Sequence, residues 1–134
     1  MRPTILLAED NSIVSRFVIA ALERENFNVL HAWSAEEALQ VARNQGQIRL
    51  LLTDIKMEGE MSGIALAEQI IEEKPGTKVL VMSGYLENEM LASDKHFPFL
   101  AKPFTPTALI ERVRVLLSKI PPQSERKSTK WRLG

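Results

Sequence analysis

Five short apolar runs, separated by longer stretches with helical periodicity, constrain the fold of this chain more than any other feature of its sequence. A parallel strand buried on both faces is a continuous apolar segment, whereas an amphipathic helix repeats its apolar residues every three or four positions. The sequence therefore predicts an α/β fold, a (βα)5 doubly wound, flavodoxin-like parallel sheet with helices on both faces. The predicted strands are residues 4–8, 27–32, 48–53, 78–82 and 97–101.

Local signals predict where several of the helices begin and end. Ser34, followed three residues later by Glu37, is the capping-box pattern that starts a second helix. A third helix over residues 63–74 is stopped by Pro75. Residues 85–96 leave room only for a short or weak fourth helix. The apolar face of the third helix is predicted to consist of Ile64, Ala67 and Ile71.

Composition and charge exclude several classes of protein. The chain has 134 residues, of which 17 are basic and 17 acidic, so its net charge gives no reason to expect binding to nucleic acid or to a membrane. It has no cysteine, which excludes disulfides and thiolate chemistry. No apolar run approaches the ~20 residues of a membrane span, and we expect a cytoplasmic protein. Residues 1–120 are expected to form one domain, and residues 121–134 a flexible basic tail.

Polar residues stand at the carboxyl ends of four predicted strands, where ligands bind to open α/β sheets. Glu9 and Asp10 follow the first strand, Asp54 the third, Ser83 the fourth and Lys102 the fifth. Carboxylates gathered at one edge repel one another by roughly 4 kcal/mol per pair at ~4 Å and an effective dielectric of ~20, so the cluster needs a cation. Oxygen ligands of this kind suit Mg²⁺.

The same group of side chains predicts phosphoryl chemistry. Asp54 lies centrally among them, which makes it the natural nucleophile. A metal ion, a lysine ammonium and a hydroxyl are the groups that stabilise the charge on a transferred phosphoryl group. Taken singly, an Asp or Ser at a strand end is usually a turn former or a helix cap. The joint placement at four ends of one sheet edge is what favours a functional site.

Four segments of the chain resemble the signature segments of response-regulator receiver domains, and the resemblance covers about residues 1–120. Each segment alone would be weak, whereas the four together are highly specific. The segments are ILLAEDN at residues 5–11, LTDIKM at 52–57, MSGY at 82–85 and LAKPF at 100–104.

The resemblance implies a role for each residue of the site. It implies that Asp54 is the phosphoacceptor, that Lys102 pairs with the phosphate, and that Ser83 and Phe99 form a switch. It also implies a cis peptide bond between Lys102 and Pro103. The implied Mg²⁺ ligands are Glu9, Asp10, Asp54 and the main-chain carbonyl of Lys56. The residues that would control the access of water to the phosphoryl group are Lys56 and Tyr85.

The chain departs from the family pattern in three places. Glu58 stands where a proline is usual, and the loop of residues 57–63 looks one residue longer than usual. The interval between Ser83 and Lys102 looks a few residues shorter, at the expense of the fourth helix. The switch aromatic is Phe99, which lacks the hydroxyl of a tyrosine.

The favoured function is that of a stand-alone, single-domain response regulator that is phosphorylated by a sensor histidine kinase or a phosphotransfer protein. It would act on an unknown downstream protein through the surface of residues 85–96, the fifth strand and the last helix. We expect no DNA-binding domain and no membrane partner, and the pattern allows a phosphorylation-dependent homodimer.

Two other functions use the same residues. The first is a Mg²⁺-dependent phosphatase with an aspartate nucleophile, although Lys56 stands where such an enzyme has its second aspartate. The second is a constitutive docking scaffold, although the acidic residues and the lysine that degenerate receivers lose are all present.

Overall fold

The chain folds into a five-stranded parallel sheet with helices packed on both faces, which confirms the predicted fold class. The structure is a computed structural model, and it describes residues 2–84 and 97–118. The strands follow the order β2-β1-β3-β4-β5. The elements are β1 (Thr4–Ala8), α1 (Ser12–Arg24), β2 (Asn28–Ala32), α2 (Ala35–Asn44), β3 (Leu50–Asp54), α3 (Gly63–Glu73), β4 (Lys78–Ser83), β5 (Phe99–Ala101) and α4 (Pro106–Ser118).

Strand boundaries differ from the predicted ones by one or two residues. Phe27 is buried, but its N–H donates to the carbonyl of Leu22 at 3.1 Å, so this residue belongs to the turn that ends α1. β3 and β4 each extend one residue further than predicted, which makes Asp54 and Ser83 the last residues of their strands. The predicted fourth helix at residues 85–96 and the predicted basic tail at 121–134 lie outside the described residues.

Alternate side chains of the strands enter two separate cores. In β1, Leu6 and Ala8 point to the core that is covered by α2 and α3. Ile5 and Leu7 point to the other core, which is covered by α1 and α4. All four side chains are fully buried. β1 is therefore apolar from Ile5 to Ala8 because both of its faces are covered there, as the sequence predicted.

Side-chain caps start all four described helices, and the Thr105 hydroxyl caps α4 by accepting from the N–H of Ala108 at 3.1 Å. The Asn11 side chain accepts hydrogen bonds from the N–H groups of Ile13 and Val14 at 2.9 and 3.1 Å, and Ser62 caps α3 in the same way. Ser34 accepts from the N–H of Glu37 at 3.0 Å, which confirms the predicted cap. The carboxylate of Glu37 returns to the N–H of Trp33, one position before the cap, rather than to that of Ser34.

The buried face of α3 is rotated from the one predicted. Leu66, Ala67 and Ile70 are buried, whereas Ile71 is 36% exposed, so the prediction was correct for Ala67 and wrong for Ile71. The cause lies at the start of the helix, where Gly63 packs against the backbone of β3. A Cβ on Gly63 would overlap the carbonyl oxygen of Asp54. This close approach sets which side of the helix faces the core.

Among residues 2–84 and 97–118, no helix has both the length and the apolar character that crossing a membrane requires.

Two substitutions in α3 test the packing. We expect Leu66→Ala to lower the free energy of unfolding by ~2–5 kcal/mol, because it leaves a cavity in a fully buried site. Ile71→Ala removes a similar side chain from the same helix at a position that is 36% exposed, and we expect a clearly smaller loss. Urea denaturation of both variants measures the difference. Equal losses would contradict this orientation of the helix.

Candidate functional site

The polar residues predicted from the strand ends lie together at the carboxyl edge of the sheet. β1, β3, β4 and β5 are consecutive neighbours, so the ends of these strands form one continuous row. Glu9 and Asp10 follow β1, and Lys102 follows β5. Asp54 ends β3 between them, beside Met82 of β4. The central placement of Asp54 that the sequence predicted is therefore confirmed.

Three carboxylates and one ammonium form the core of this site. One carboxylate oxygen from each of Glu9, Asp10 and Asp54 lies within 4.8 Å of the others. The Nζ atom of Lys102 lies 3.1 Å from Asp54 Oδ2 and 3.6 Å from Glu9 Oε1. Three negative charges and one positive charge leave two net negative charges on these four side chains, which is the charge that a divalent cation would neutralise.

Glu9 is the most constrained of the three acids because its side chain is fully buried. Its Oε2 accepts a hydrogen bond from the N–H of Asn11 at 3.1 Å, but its Oε1 has no hydrogen-bond partner among the described residues. Burial raises the pKa of Glu9, and the negative charge of Asp54 adds to the effect. A buried carboxylate oxygen without a donor is costly, and a cation at the cluster would satisfy it. The donor set therefore fits an oxygen-ligated divalent metal.

Asp54 is held in one orientation while remaining accessible. Its Oδ1 accepts a hydrogen bond from the N–H of Ile55 at 3.0 Å, and its Oδ2 faces the Lys102 ammonium. Its side chain is 15% exposed, in contrast to the buried Glu9. A reactant from solvent can therefore reach Asp54.

The main chain positions Lys102 next to Ser83. The N–H of Lys102 donates to the carbonyl of Ser83 at 2.7 Å, and the Ser83 side chain is buried at the end of β4. Phe99 is half-buried in β5 beside Val81 and packs against the core under α2 and α3. The peptide bond between Lys102 and Pro103 is cis, as the resemblance implied.

Asp10 makes a contact that the sequence did not predict. Its Oδ2 accepts a hydrogen bond from the main-chain N–H of Glu58 at 2.9 Å. Proline has no N–H, so a proline at position 58 could not make this bond. The residue type at position 58 is therefore the signal in the sequence that allows this contact. Lys56 is exposed in the same loop. Tyr85, the other predicted water-access residue, lies outside the described residues.

His31 and Trp33 form a second unpredicted contact with the site. The Nε2 of His31 lies 2.9 Å from the carbonyl oxygen of Glu9, so the ring carries its proton on that nitrogen and donates it. The rings of His31 and Trp33 pack with centroids 4.3 Å apart. His31 therefore holds the main chain of Glu9 from the edge strand β2, and Trp33 packs against the ring of His31.

Comparison with known proteins identifies the family. The model of the response regulator receiver domain matches residues 5–114, and the chain belongs to this family. Such domains are the signalling modules of two-component regulatory systems. Across the 105 described residues, the five-stranded sheet and the acidic cluster agree with this assignment.

Curated relatives include both short and long proteins. The chain is 35% identical over 119 residues to the response regulator receiver protein CpdR of Brucella abortus, covering 84% of this chain and 95% of CpdR. The chain is also 32% identical over 120 residues to the sensor kinase CckA of the same organism. That match covers 87% of this chain but only 13% of CckA. The chain likewise spans only 28% of the transcriptional regulatory protein GlrR of Escherichia coli.

Solved structures share the same fold. A response regulator receiver protein from Sinorhizobium medicae superimposes with a TM-score of 0.79 at 30% identity, over 87% of this chain and 94% of that one. A response regulator from Thermotoga maritima gives a TM-score of 0.75 at 34% identity, over 89% and 100% of the two chains.

The cost of burying Glu9 can be measured without any metal. We expect Glu9→Gln to raise the free energy of unfolding in EDTA at neutral pH by about 1 kcal/mol, because it removes a buried charge whose Oε1 accepts no hydrogen bond from the described residues. Since the pKa of Glu9 is raised in the folded state, this carboxyl weakens the fold as the pH rises from the ordinary glutamate pKa through the raised one. The advantage of the variant should therefore grow over that window and then level off.

Urea denaturation at several pH values measures this advantage. Glu72→Gln, at an exposed position of α3, is the matched control for the loss of one glutamate charge. If Glu9→Gln destabilised the metal-free protein at neutral pH, the description of Glu9 as a buried, unfavourably placed charge would be wrong.

Proposed function

We propose that this receiver domain accepts a phosphoryl group on Asp54 in a Mg²⁺-dependent reaction, from a histidine kinase or a phosphotransfer protein in the cytoplasm. One observation carries the proposal. Carboxylate oxygens of Glu9, Asp10 and Asp54 lie within 4.8 Å of one another, and the Lys102 ammonium lies 3.1 Å from Asp54. The net charge favours a divalent cation, and the exposure of Asp54 favours its reaction with an external donor.

Mg²⁺ would be held by Glu9, Asp10 and Asp54, with the main-chain carbonyl of Lys56 as a further ligand. When bound, it would neutralise the charge of the phosphoryl oxygens as the group is transferred. The fit rests on the buried Oε1 of Glu9, which has no hydrogen-bond partner among the described residues, and on ligands that are all oxygen atoms.

The chain's own residues supply the rest of the chemistry. A carboxylate oxygen of Asp54 attacks the phosphorus atom and forms an acyl phosphate. The bond between phosphorus and the donor imidazole nitrogen breaks, and its electron pair leaves with the imidazole. Lys102 stabilises the phosphoryl oxygens because its ammonium already faces Asp54. In the second half of the cycle, water attacks the phosphorus atom, which releases inorganic phosphate and restores the carboxylate of Asp54.

The signal would leave the site through Ser83 and Phe99. New phosphoryl oxygens can accept a hydrogen bond from the Ser83 hydroxyl, and the resulting shift opens space beside the half-buried Phe99. Burying such a ring contributes ~1.5–3 kcal/mol, which shifts a two-state equilibrium by roughly ten- to a hundredfold. The changed surface would comprise residues 85–96, β5 and α4, and a downstream protein or a second copy of the chain would bind there.

Intact-mass measurement with acetyl phosphate and Mg²⁺ tests the acceptor. We expect the unaltered chain to gain one phosphoryl group, and Asp54→Ala to gain none, because the nucleophile is removed. Asp94→Ala is the matched control, since Asp94 is the third aspartate of the chain besides Asp10 and Asp54, and it should be modified normally. Glu9→Ala combined with Asp10→Ala removes two of the proposed Mg²⁺ ligands, so Mg²⁺ should no longer stimulate the modification and less phosphoryl group should be gained. Modification of Asp54→Ala would contradict the assignment of the acceptor.

Lys56 and Tyr85 should make the phosphoryl group long-lived. A lysine two residues after the acceptor can bind the phosphoryl oxygens, and a tyrosine ring can block the path of water. We therefore expect Lys56→Ala and Tyr85→Ala to shorten the lifetime severalfold, and the double variant to shorten it further. Loss of the added mass over time, after the donor is removed, measures the rate. Lys74→Ala, at the opposite edge of the sheet, serves as the control. Unchanged lifetimes in both single variants would refute this role.

A further inference from the structure

The loop of residues 55–62, here called the acceptor loop, joins Asp54 to α3 and carries the Lys56 carbonyl. Its two ends are closed by a hydrogen bond from the N–H of Gly63 to the carbonyl of Ile55 at 2.7 Å. Between these ends, Glu58 donates its N–H to Asp10, which belongs to the carboxylate cluster. The N–H groups of Glu60 and Met61, further along the loop, bind a residue that lies outside the cluster.

That residue is Glu36, in the first turn of α2. Its Oε2 accepts hydrogen bonds from two consecutive main-chain N–H groups of the acceptor loop, those of Glu60 at 2.9 Å and Met61 at 3.0 Å. Its Oε1 lies directly over Gly59, where an added Cβ would be only 2.6 Å away. Gly59 also has a positive φ of 104°, a conformation that favours glycine. The loop backbone is therefore shaped around this carboxylate.

The charge state of Glu36 suits this contact. Its own main-chain N–H, together with the N–H groups of Met61 and Glu60, holds the pKa of the Glu36 carboxyl below its ordinary value. The group is therefore ionised at neutral pH, and both loop hydrogen bonds are charge-assisted. The neighbouring Glu37 differs, because its carboxylate binds the N–H of Trp33 within its own helix start.

The hydrogen bonds to Glu36 help to keep the acceptor loop in one conformation. Each loop residue loses backbone freedom when the loop is ordered, and Gly59 loses the most. Lys56 and Glu58 are exposed, so side-chain burial gives little to offset this entropy at those positions. Met57 and Met61 pack, partly buried, against the core under α2 and α3, and the hydrogen bonds to Asp10 and Glu36 hold the main chain of the loop.

We propose that Glu36 is a positioning residue for the metal site: it binds the N–H groups of Glu60 and Met61 and so holds the Lys56 carbonyl and the Glu58 N–H at the carboxylate cluster. This role rests on the proposed function, since it assumes that Mg²⁺ binds at that cluster. Glu36 acts through the loop and is not one of the three clustered acids.

Mg²⁺ titration calorimetry on the full chain tests the role. We expect Glu36→Ala to weaken Mg²⁺ binding by about three- to tenfold, because the competent loop conformation becomes a minor part of the ensemble. Glu36→Gln keeps one acceptor oxygen and should recover part of the affinity. Glu37→Ala removes a carboxylate from the same helical turn without touching the loop, and it should bind Mg²⁺ as the unaltered chain does.

Two further measurements separate positioning from general damage to the fold. The amides of Glu60 and Met61 should exchange faster in Glu36→Ala, whereas those of the β-strands should not. Phosphorylation of Glu36→Ala by acetyl phosphate should require more Mg²⁺ but reach the unaltered rate at saturation, because Asp54 and Lys102 are not displaced. A partly unfolded variant would instead show a lower rate at saturation.

The outcomes distinguish this role from the function on which it rests. If Glu36→Ala bound Mg²⁺ as tightly as the unaltered chain, the positioning role would be overturned while the phosphorylation of Asp54 stood. A lower saturating rate with an unchanged Mg²⁺ requirement would also overturn it. If the unaltered chain failed to bind Mg²⁺, the proposed metal site and the role of Glu36 would both be wrong.

Discussion

Burial of the central strands on both faces is the constraint on which the rest of this structure depends. β1 and β3 lie inside the sheet and carry apolar side chains into two cores, so neither strand has a face on which a charge could reach water. Charged residues are therefore confined to the strand ends. Because all five strands are parallel, their carboxyl ends share one edge, and Glu9, Asp10, Asp54 and Lys102 converge there.

The convergence of these carboxylates lowers the stability of the fold, but it also creates a site that attracts a cation. Like charges at close range oppose folding, and the buried Glu9, whose Oε1 accepts no hydrogen bond from the described residues, is the clearest case. The same features favour a divalent cation at the cluster and leave the more exposed Asp54 available for reaction. The site is thus poorly satisfied by protein groups alone, as is common where a protein binds an ion.

The β3–α3 connection is held in place at both ends and in its middle. Its two ends are set by backbone contacts between Gly63 and the end of β3, which leave no room for a side chain. Its middle is tied by carboxylates from Asp10 and Glu36. Glu58 takes part through its main chain, with an N–H that a proline would lack. The loop therefore keeps a defined course past the cluster.

The amino-acid pattern was sufficient to predict the fold class, the five strands to within one or two residues, and the gathering of the acidic residues with Lys102 at one edge. Periodicity reports burial directly, and parallel strands bring their ends together whatever the loops do. The tertiary structure alone decided the rotation of α3, the bond from His31 to the Glu9 carbonyl, and the contacts of Glu36 with the acceptor loop. The contacts of His31 and Glu36 join residues more than 20 positions apart and use main-chain atoms, which every residue type carries, so no pattern of side chains in the sequence could specify them.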